Sequence, residues 1–143
     1  MSFLPPRSPY GLIQEDLWPD EWKILVACVF LNCTSRRQAE KILPRFFGRW
    51  PTPEAILGAD PVEVEDMVAP LGFRKVRTKR VMEMSKAYRG AWVHASDLPG
   101  VGPYASRAWE IFCKNQLGGD APKDGALTRY WNWRKHDQEK NVR

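Results

Sequence analysis

The 143-residue sequence is poor in the residues that build disulfide frameworks and metal sites. Its three cysteines, Cys28, Cys33 and Cys113, form no CxxC pair, which argues against a disulfide framework and against a four-thiolate zinc or iron–sulfur site. We therefore expect a reducing compartment, the nucleus in a eukaryote and otherwise the cytoplasm. The two histidines, His94 and His136, are far apart in the sequence, and we expect both at the surface with no metal bound.

Sequence patterns typical of membrane spans and export signals are also lacking. The longest apolar run, 24–31, has eight residues, whereas a membrane-spanning helix needs about 20. The first residues, MSFLPPRSPYGL, carry prolines where a secretory signal needs an apolar core, so we expect no export signal. What the chain does have is 43% apolar residues, seven tryptophans and a net charge of +5. This composition predicts a single folded domain over residues 1–143 with an anionic partner.

Helical periodicity and capping residues recur along the chain, and no strand pattern is strong enough to build a sheet. The fold class predicted from these patterns is all-α. The prolines of residues 1–19 predict an extended lead-in, and residues 136–143 form a polar tail. Helices are predicted over Glu21–Leu31 (with a short buried strand as the alternative), from Thr34 or Ser35, from Asp60-Pro61, over Arg74–Tyr88, over Ala105–Cys113 and over Gly125–Lys135.

Cations crowd the first turns of the helix predicted from Arg74. Five lie within seven residues with no acid among them: Arg74, Lys75, Arg77, Lys79 and Arg80. A solvated charged face is the ordinary interpretation of such a run, and cations at a helix start oppose the helix dipole. The absence of acids favours phosphate contact instead, by Arg74, Lys75 and Arg77 in particular. The same helix is expected to bury Val76 and Val81.

The segment Leu98-Pro-Gly-Val-Gly-Pro-Tyr104 is the most informative part of the sequence. Two glycines two positions apart, before a helix, predict a hairpin whose backbone amides bind a phosphate at the positive end of that helix. A simple turn between helices is the alternative. The residues expected to approach a nucleic-acid backbone are Gly100, Val101, Gly102, Tyr104 and Ala105.

With this hairpin, the sequence resembles the HhH-GPD superfamily of helix-hairpin-helix DNA glycosylases. The likeness rests on LPGVG, on Asp124 in the Gly/Pro-rich loop after it, and on Leu12–Glu15, Phe30–Ser35 and Pro70–Phe73. It spans about residues 8 to 135 and is greatest for the catalytic domains of mismatch-specific thymine/uracil glycosylases with a methyl-CpG-binding domain. The resemblance implies a two-lobed helical bundle with a helix-hairpin-helix motif that acts as a monomer on double-stranded DNA.

The chemistry implied by the resemblance is base excision, in which a nucleotide is flipped out of the duplex and its N-glycosidic bond is hydrolysed. Asp124 is implied as the carboxylate that stabilises the oxocarbenium-like sugar and orients water; a helix cap is its alternative role.

Relatives with lyase activity carry a lysine at the position of Tyr104. That lysine forms an imine with the sugar. A phenol cannot do so, and the resemblance therefore implies a monofunctional enzyme, which does not cut the strand. No iron–sulfur cluster or other cofactor is implied, and a structural monovalent cation at the hairpin stays open.

Further site residues are carried over from the resemblance one by one. Gln14 and Tyr104 are implied to line the base pocket, with Ile13 offering backbone groups and Gln14 presenting a donor and an acceptor to thymine or uracil. Phe73 occupies the position of the wedge that enters the base stack, with an ordinary core phenylalanine as the alternative. Further DNA contacts are implied at Cys33, Thr34 and Arg36.

The sequence departs from the family pattern in two places. Cys33 stands where the family has a longer polar residue that touches the opposite strand, and Arg36 or Arg37 is the available substitute. Gly125-Ala126 follow the aspartate where relatives have larger residues, which predicts a roomier pocket for a 5-substituted pyrimidine. These departures leave two other functions open. One is an enzyme of this fold that modifies DNA pyrimidines in place, and the other is a non-catalytic DNA-binding module.

Overall fold

The computed structural model describes residues 7–31, 34–123 and 125–141, with side chains up to residue 137, and this part of the chain contains helices and no strand. The α-helices are α1 (Ile13–Leu17), α2 (Glu21–Leu31), α3 (Arg36–Arg49), α4 (Pro53–Leu57), α5 (Pro61–Val68), α6 (Arg74–Tyr88), α7 (Pro103–Lys114) and α8 (Gly125–Asn141). Short 3-10 turns at Ala69–Leu71 and Ala95–Asp97 precede α6 and α7. None of the described helices is long and apolar enough to span a membrane. The predicted all-α class is confirmed.

Two hydrophobic clusters give the molecule two lobes. The first lobe gathers α2 to α6 around large side chains that include Trp22, Phe46 and Trp50. The second lobe gathers α7 and α8 around side chains that include Phe112 and Tyr130. Helix α2 contributes to both, because its residues 25 and 26 belong to the first cluster and its residues 24 and 28 to the second. Burial on all sides explains why the sequence of α2 is apolar nearly all round.

Capping residues set the helix starts that the sequence predicts. Asp20 accepts a hydrogen bond from Lys23 N at 3.0 Å, Ser35 from Gln38 N at 3.2 Å, and Asp60 from Val62 N at 3.0 Å. These satisfy backbone donors that have no partner inside the helix. Helix α4 has no counterpart among the predicted helices, although Thr52 caps it and Pro53 takes its first position.

Three parts of the chain differ from the sequence-based expectations. Helix α1 lies inside the lead-in expected to be extended, where the buried carboxylate of Glu15 accepts from Ser8 N at 2.6 Å and from Leu12 N at 2.7 Å. Helix α8 continues to Asn141, so residues 136–141 are helical. Helix α6 has the predicted bounds, but Val76 is 47% exposed and Arg77 is 4% exposed, the reverse of the expected pattern.

Candidate functional site

The segment 98–104 forms a tight turn directly before α7. Val101 N donates to Leu98 O at 3.2 Å, and Gly100 has a φ of +82°, a backbone conformation that strains any residue with a side chain. Gly102 caps α7, and the first hydrogen bond inside that helix runs from Ser106 N to Gly102 O at 2.9 Å. The N–H of Ala105 therefore has no acceptor within α7 and points to the helix end that favours anions.

Gln14, Cys28 and Tyr104 meet next to this turn. Gln14 Nε2 donates to Tyr104 Oη at 2.7 Å and to Cys28 Sγ at 3.4 Å, although Gln14 and Tyr104 are 90 positions apart in the chain. Gln14 is 1% exposed, which is unusual for a glutamine, and Ile13 beside it is buried as well. A small pocket of about 130 Å³ is lined by Cys28 and Tyr104 together with Val29, Gly100, Gly102, Pro103 and Ala105. The structure thus brings together the two side chains that are expected to line a base pocket.

Tyr104 also lines a larger pocket of about 410 Å³. The other lining residues are Pro103 and Arg107 of α7, Leu127 of α8, and Asp120, Ala121, Pro122 and Lys123 of the loop between them. Asp124 directly follows this loop in the sequence; it lies outside the described residues, as does Cys33. The loop that leads to Asp124 therefore forms a wall of a pocket shared with Tyr104.

Phe73 is an exposed aromatic residue at the tip of the loop before α6. Its side chain is 69% exposed, whereas Leu71 in the same loop is buried. Its backbone is left-handed, with φ +51° and ψ +41°, which is uncommon for a bulky residue and recurs at functional sites. The alternative of an ordinary core phenylalanine is wrong, because the ring lies outside both hydrophobic clusters.

Arg77 is buried, contrary to the prediction that it contacts phosphate. Its Nε donates to Gly72 O at 2.7 Å, its Nη1 to Phe30 O at 2.9 Å and its Nη2 to Leu71 O at 3.2 Å. A guanidinium that is buried and turned toward backbone carbonyls cannot reach a phosphate outside the protein, so the predicted phosphate contact of Arg77 is wrong. The neighbouring Arg74 and Lys75 are exposed, as that prediction requires of them.

Arg36 holds the N-terminal segment against α3. It pairs with Glu40 Oε1 at 2.6 Å and donates to the carbonyls of Tyr10 and Gly11. Thr34, which precedes it, donates from Oγ1 to Gln38 Oε1 at 2.9 Å. No sequence pattern indicates the Arg36 tether, because its acceptors are backbone groups about 25 residues earlier.

His94 is fixed in place and is not a freely solvated surface residue. Its Nε2 lies 3.0 Å from Glu110 Oε2, its Nδ1 lies 2.8 Å from Ser96 Oγ, and its ring meets the Trp109 ring edge-on at 4.8 Å. Within the described ranges, no group of three His, Cys, Asp or Glu side chains could hold a metal ion.

Cys113 of α7 is partly buried and packs against both hydrophobic clusters. Burial, with a smaller contribution from the negative charge of Glu21, raises the pKa of its thiol to about 12. The same two causes raise the pKa of Tyr88, whose hydroxyl donates to Glu21 Oε1 at 3.2 Å. Both groups are neutral at physiological pH, so Cys113 is not a thiolate nucleophile.

Comparison with known protein families identifies a match over most of the chain. The model of the HhH-GPD superfamily of base excision DNA repair proteins matches residues 26–143. The chain is 38% identical over 133 residues to the methyl-CpG-binding domain protein 4-like protein of Arabidopsis thaliana, covering 92% of this chain and 30% of that one. It is 37% identical over 93 residues to the thymine-DNA glycosylase of Aeropyrum pernix, covering 59% and 42%. The chain spans less than half the length of these relatives.

Solved structures share the fold. A thermostable thymine-DNA glycosylase matches with a TM-score of 0.66 at 23% identity, over 83% of this chain and 55% of that one. Endonuclease III in a non-covalent DNA complex matches with a TM-score of 0.58 at 18% identity, over 85% and 72%. At these identities the likeness concerns the fold, and it confirms the predicted two-lobed helical bundle.

Proposed function

Because the chain belongs to the HhH-GPD superfamily of base excision DNA repair proteins, we propose that it is a monofunctional DNA glycosylase for thymine, uracil or 5-substituted uracil opposite guanine. It flips the nucleotide out of double-stranded DNA, hydrolyses the N-glycosidic bond and leaves an abasic site. The observation that carries the proposal is the hydrogen bond between buried Gln14 and Tyr104 next to the 98–104 turn. The thymine-DNA glycosylase activity named for a relative supports the choice of base.

Gln14 is the residue proposed to read the base. Its carboxamide has two N–H donors and one acceptor oxygen, and the acceptor oxygen can pair with the N3–H of thymine or uracil. The contacts of Nε2 with Tyr104 and Cys28 hold the carboxamide in one orientation, with Oε1 as the acceptor for N3–H. Cytosine has no N3–H, so it would leave this acceptor without its partner and be rejected.

Asp124 is the residue proposed to drive bond cleavage. As the base leaves, the sugar acquires positive charge, which a carboxylate near C1′ stabilises while it orients the attacking water. Tyr104 occupies the position where lyase relatives carry lysine, and it cannot form an imine with the sugar. The reaction then needs only water, so the proposal includes no cofactor and no strand cleavage by the enzyme itself.

DNA contacts are proposed on the surface around this pocket. The 98–104 turn and Ala105 hold one phosphate of the damaged strand, and Phe73 enters the base stack. We propose further DNA contacts, with the opposite strand, by Cys33, Thr34 and Arg36, the last through the exposed part of its side chain, which is 46% exposed beside Glu40. We propose a monomer on its duplex, in the nucleus of a eukaryote or the cytoplasm of a prokaryote.

The first test of this function is a base-release assay under single-turnover conditions. End-labelled duplexes carry U, T or 5-hydroxymethyluracil opposite G or A and are treated with alkali after incubation. We expect strand cleavage only after alkali and only for U, T or 5-hydroxymethyluracil opposite G, since an abasic site is alkali-labile and the enzyme lacks the lyase lysine. Cleavage without alkali would refute the monofunctional mechanism. Tight binding without base release would favour in-place modification or a non-catalytic module.

The exposed cations at the start of α6 lead to a prediction about salt. Replacing Arg74 or Lys75 by glutamine should lower the slope of log affinity against log salt by about 1 for each phosphate that the protein no longer neutralises. Fluorescence anisotropy of a labelled duplex across a salt series measures this slope. Arg89→Gln is the matched control, because Arg89 is exposed but pairs with Glu54 at 3.3 Å in the first lobe. An unchanged slope in both α6 variants would remove these residues from the DNA interface.

A further inference from the structure

Arg107 holds the loop 115–123 through several backbone carbonyls. Its Nη2 donates to Gly118 O at 2.7 Å and to Asp120 O at 3.2 Å, and its Nη1 donates to Gln116 O at 3.2 Å. The Arg107 side chain is only 17% exposed. Since three carbonyls within five residues turn toward one rigid planar cation, the guanidinium sets the path of the loop between them.

Glu110 also binds the guanidinium, and His94 in turn contacts Glu110. Glu110 Oε1 accepts from Arg107 Nη1 at 3.1 Å, and Glu110 Oε2 lies 3.0 Å from His94 Nε2. His94 caps the 3-10 turn Ala95–Asp97, which leads directly into the 98–104 turn. The chain of contacts therefore connects the segment before the phosphate-binding turn with the loop after α7.

The same arginine borders the pocket that Tyr104 lines. Both residues stand on α7, one turn apart, and Asp120 and Lys123 of the loop complete the wall beside them. One helix thus sets both the position of the tyrosine and the path of the loop that faces it. Asp124 follows this loop in the sequence without an intervening residue.

We propose that Arg107 is a positioning residue for base excision, which fixes the loop wall opposite Tyr104 and through it the approach of the catalytic carboxylate to the sugar. This inference rests on the proposed function. The guanidinium is engaged by protein acceptors, so it acts through the loop and not by binding DNA. Displacing a reacting group by about 1 Å costs about 100-fold in rate, which makes the position of such a loop consequential.

The test compares wild type with Arg107→Gln. A glutamine amide cannot bridge three carbonyls, so we expect the single-turnover rate at saturating enzyme to fall by about 10- to 100-fold. The duplex Kd is expected to stay unchanged. Hydrogen exchange, followed by mass spectrometry without DNA, should show faster exchange confined to amides of 115–123. This last readout does not depend on activity.

Two further variants separate positioning from simple loss of stability. Arg107→Lys keeps the charge but offers a point donor, and we expect a rate between those of wild type and Arg107→Gln. Trp22→Phe removes the indole N–H that donates to Ser85 Oγ at 2.9 Å in the first lobe, and we expect a lower melting temperature with the wild-type rate. If Arg107→Gln does not fold, the lysine variant decides, and a wild-type rate in it overturns the proposal.

The other outcomes are equally distinct. A wild-type rate for folded Arg107→Gln, or a raised Kd with an unchanged saturating rate, would overturn the proposal, the second because it indicates a direct DNA contact. Failure of wild type to release any base would overturn the proposed function and the catalytic consequence of Arg107 with it. Unchanged loop exchange in Arg107→Gln would overturn the structural role of Arg107 even if the proposed function holds.

Discussion

Replacing Asp124 by asparagine is expected to lower the single-turnover rate of base release by about 10³-fold, a loss of about 4 kcal/mol of transition-state stabilisation. The amide has nearly the volume of the carboxylate but no charge with which to stabilise the sugar cation, and it cannot take a proton from water. Duplex affinity should change little, because this interaction develops only as the bond breaks. Rapid-quench assays on a G·U duplex and anisotropy with the same duplex measure the two quantities.

This variant also separates catalysis from the alternative role of Asp124 as a helix cap. Asparagine caps a helix about as well as aspartate, so a capping role predicts no change in rate and little change in melting temperature. Asp120→Asn is the matched control, since Asp120 belongs to the loop that precedes Asp124 and lines the pocket of Tyr104, but contacts Arg107 through its backbone carbonyl. A wild-type rate in Asp124→Asn would remove the carboxylate from the mechanism and favour a non-catalytic DNA-binding module.

The helices were predictable where their signals are local. Asp20, Ser35 and Asp60 cap helices whose starts follow directly from residue type, and α6 has the bounds that its periodicity predicts. Helix α1 was not predictable in this way, because the prolines around it favour extended backbone. What stabilises it is Glu15, whose acceptance from Ser8 appears only once the chain has folded back on itself.

Helix α6 shows where the hydrophobic pattern of a sequence fails to predict which side chains are buried. By residue type, Val76 belongs inside and Arg77 outside, and the structure has them reversed. The reason is that α2 ends at Leu31 and the loop before α6 turns its carbonyls inward, which leaves backbone acceptors that need a donor. Arg77 supplies it, whereas valine cannot. Backbone acceptors that are distant in the sequence cannot be predicted from the residues around Arg77.

Apart from the 98–104 turn, the candidate site was predictable only through family resemblance. The glycine spacing at 98–104 indicates a phosphate-binding turn by itself, but no local pattern pairs Gln14 with Tyr104 across 90 positions. The contacts of Arg107 with the loop carbonyls had no sequence signal either, for the same reason as those of Arg77. Residue type thus indicates which side chains could take part in chemistry. The fold decides which cationic side chains instead donate hydrogen bonds to backbone carbonyls.

The second large effect is expected in Arg77→Met. Methionine approximates the length of the arginine stem but donates no hydrogen bond, so the carbonyls of Phe30, Leu71 and Gly72 lose a charged donor. Loss of hydrogen bonds to a buried charged group typically costs several kcal/mol, and we expect a destabilisation of about 3 kcal/mol. Urea unfolding followed by tryptophan fluorescence measures it, and the melting temperature should fall by about 10 °C.

Arg74→Met is the control for this prediction, because Arg74 is exposed on the same helix and its replacement should change stability by less than about 0.5 kcal/mol. The two variants should also differ in the salt dependence of DNA binding. Arg74→Met should lower the slope of log affinity against log salt, and Arg77→Met should leave it unchanged. Equal stability of the two variants, together with a lower slope for Arg77→Met, would show that Arg77 faces phosphate after all. The opposite pattern would establish that this arginine works inside the protein, where it ties the end of α2 to the loop that presents Phe73.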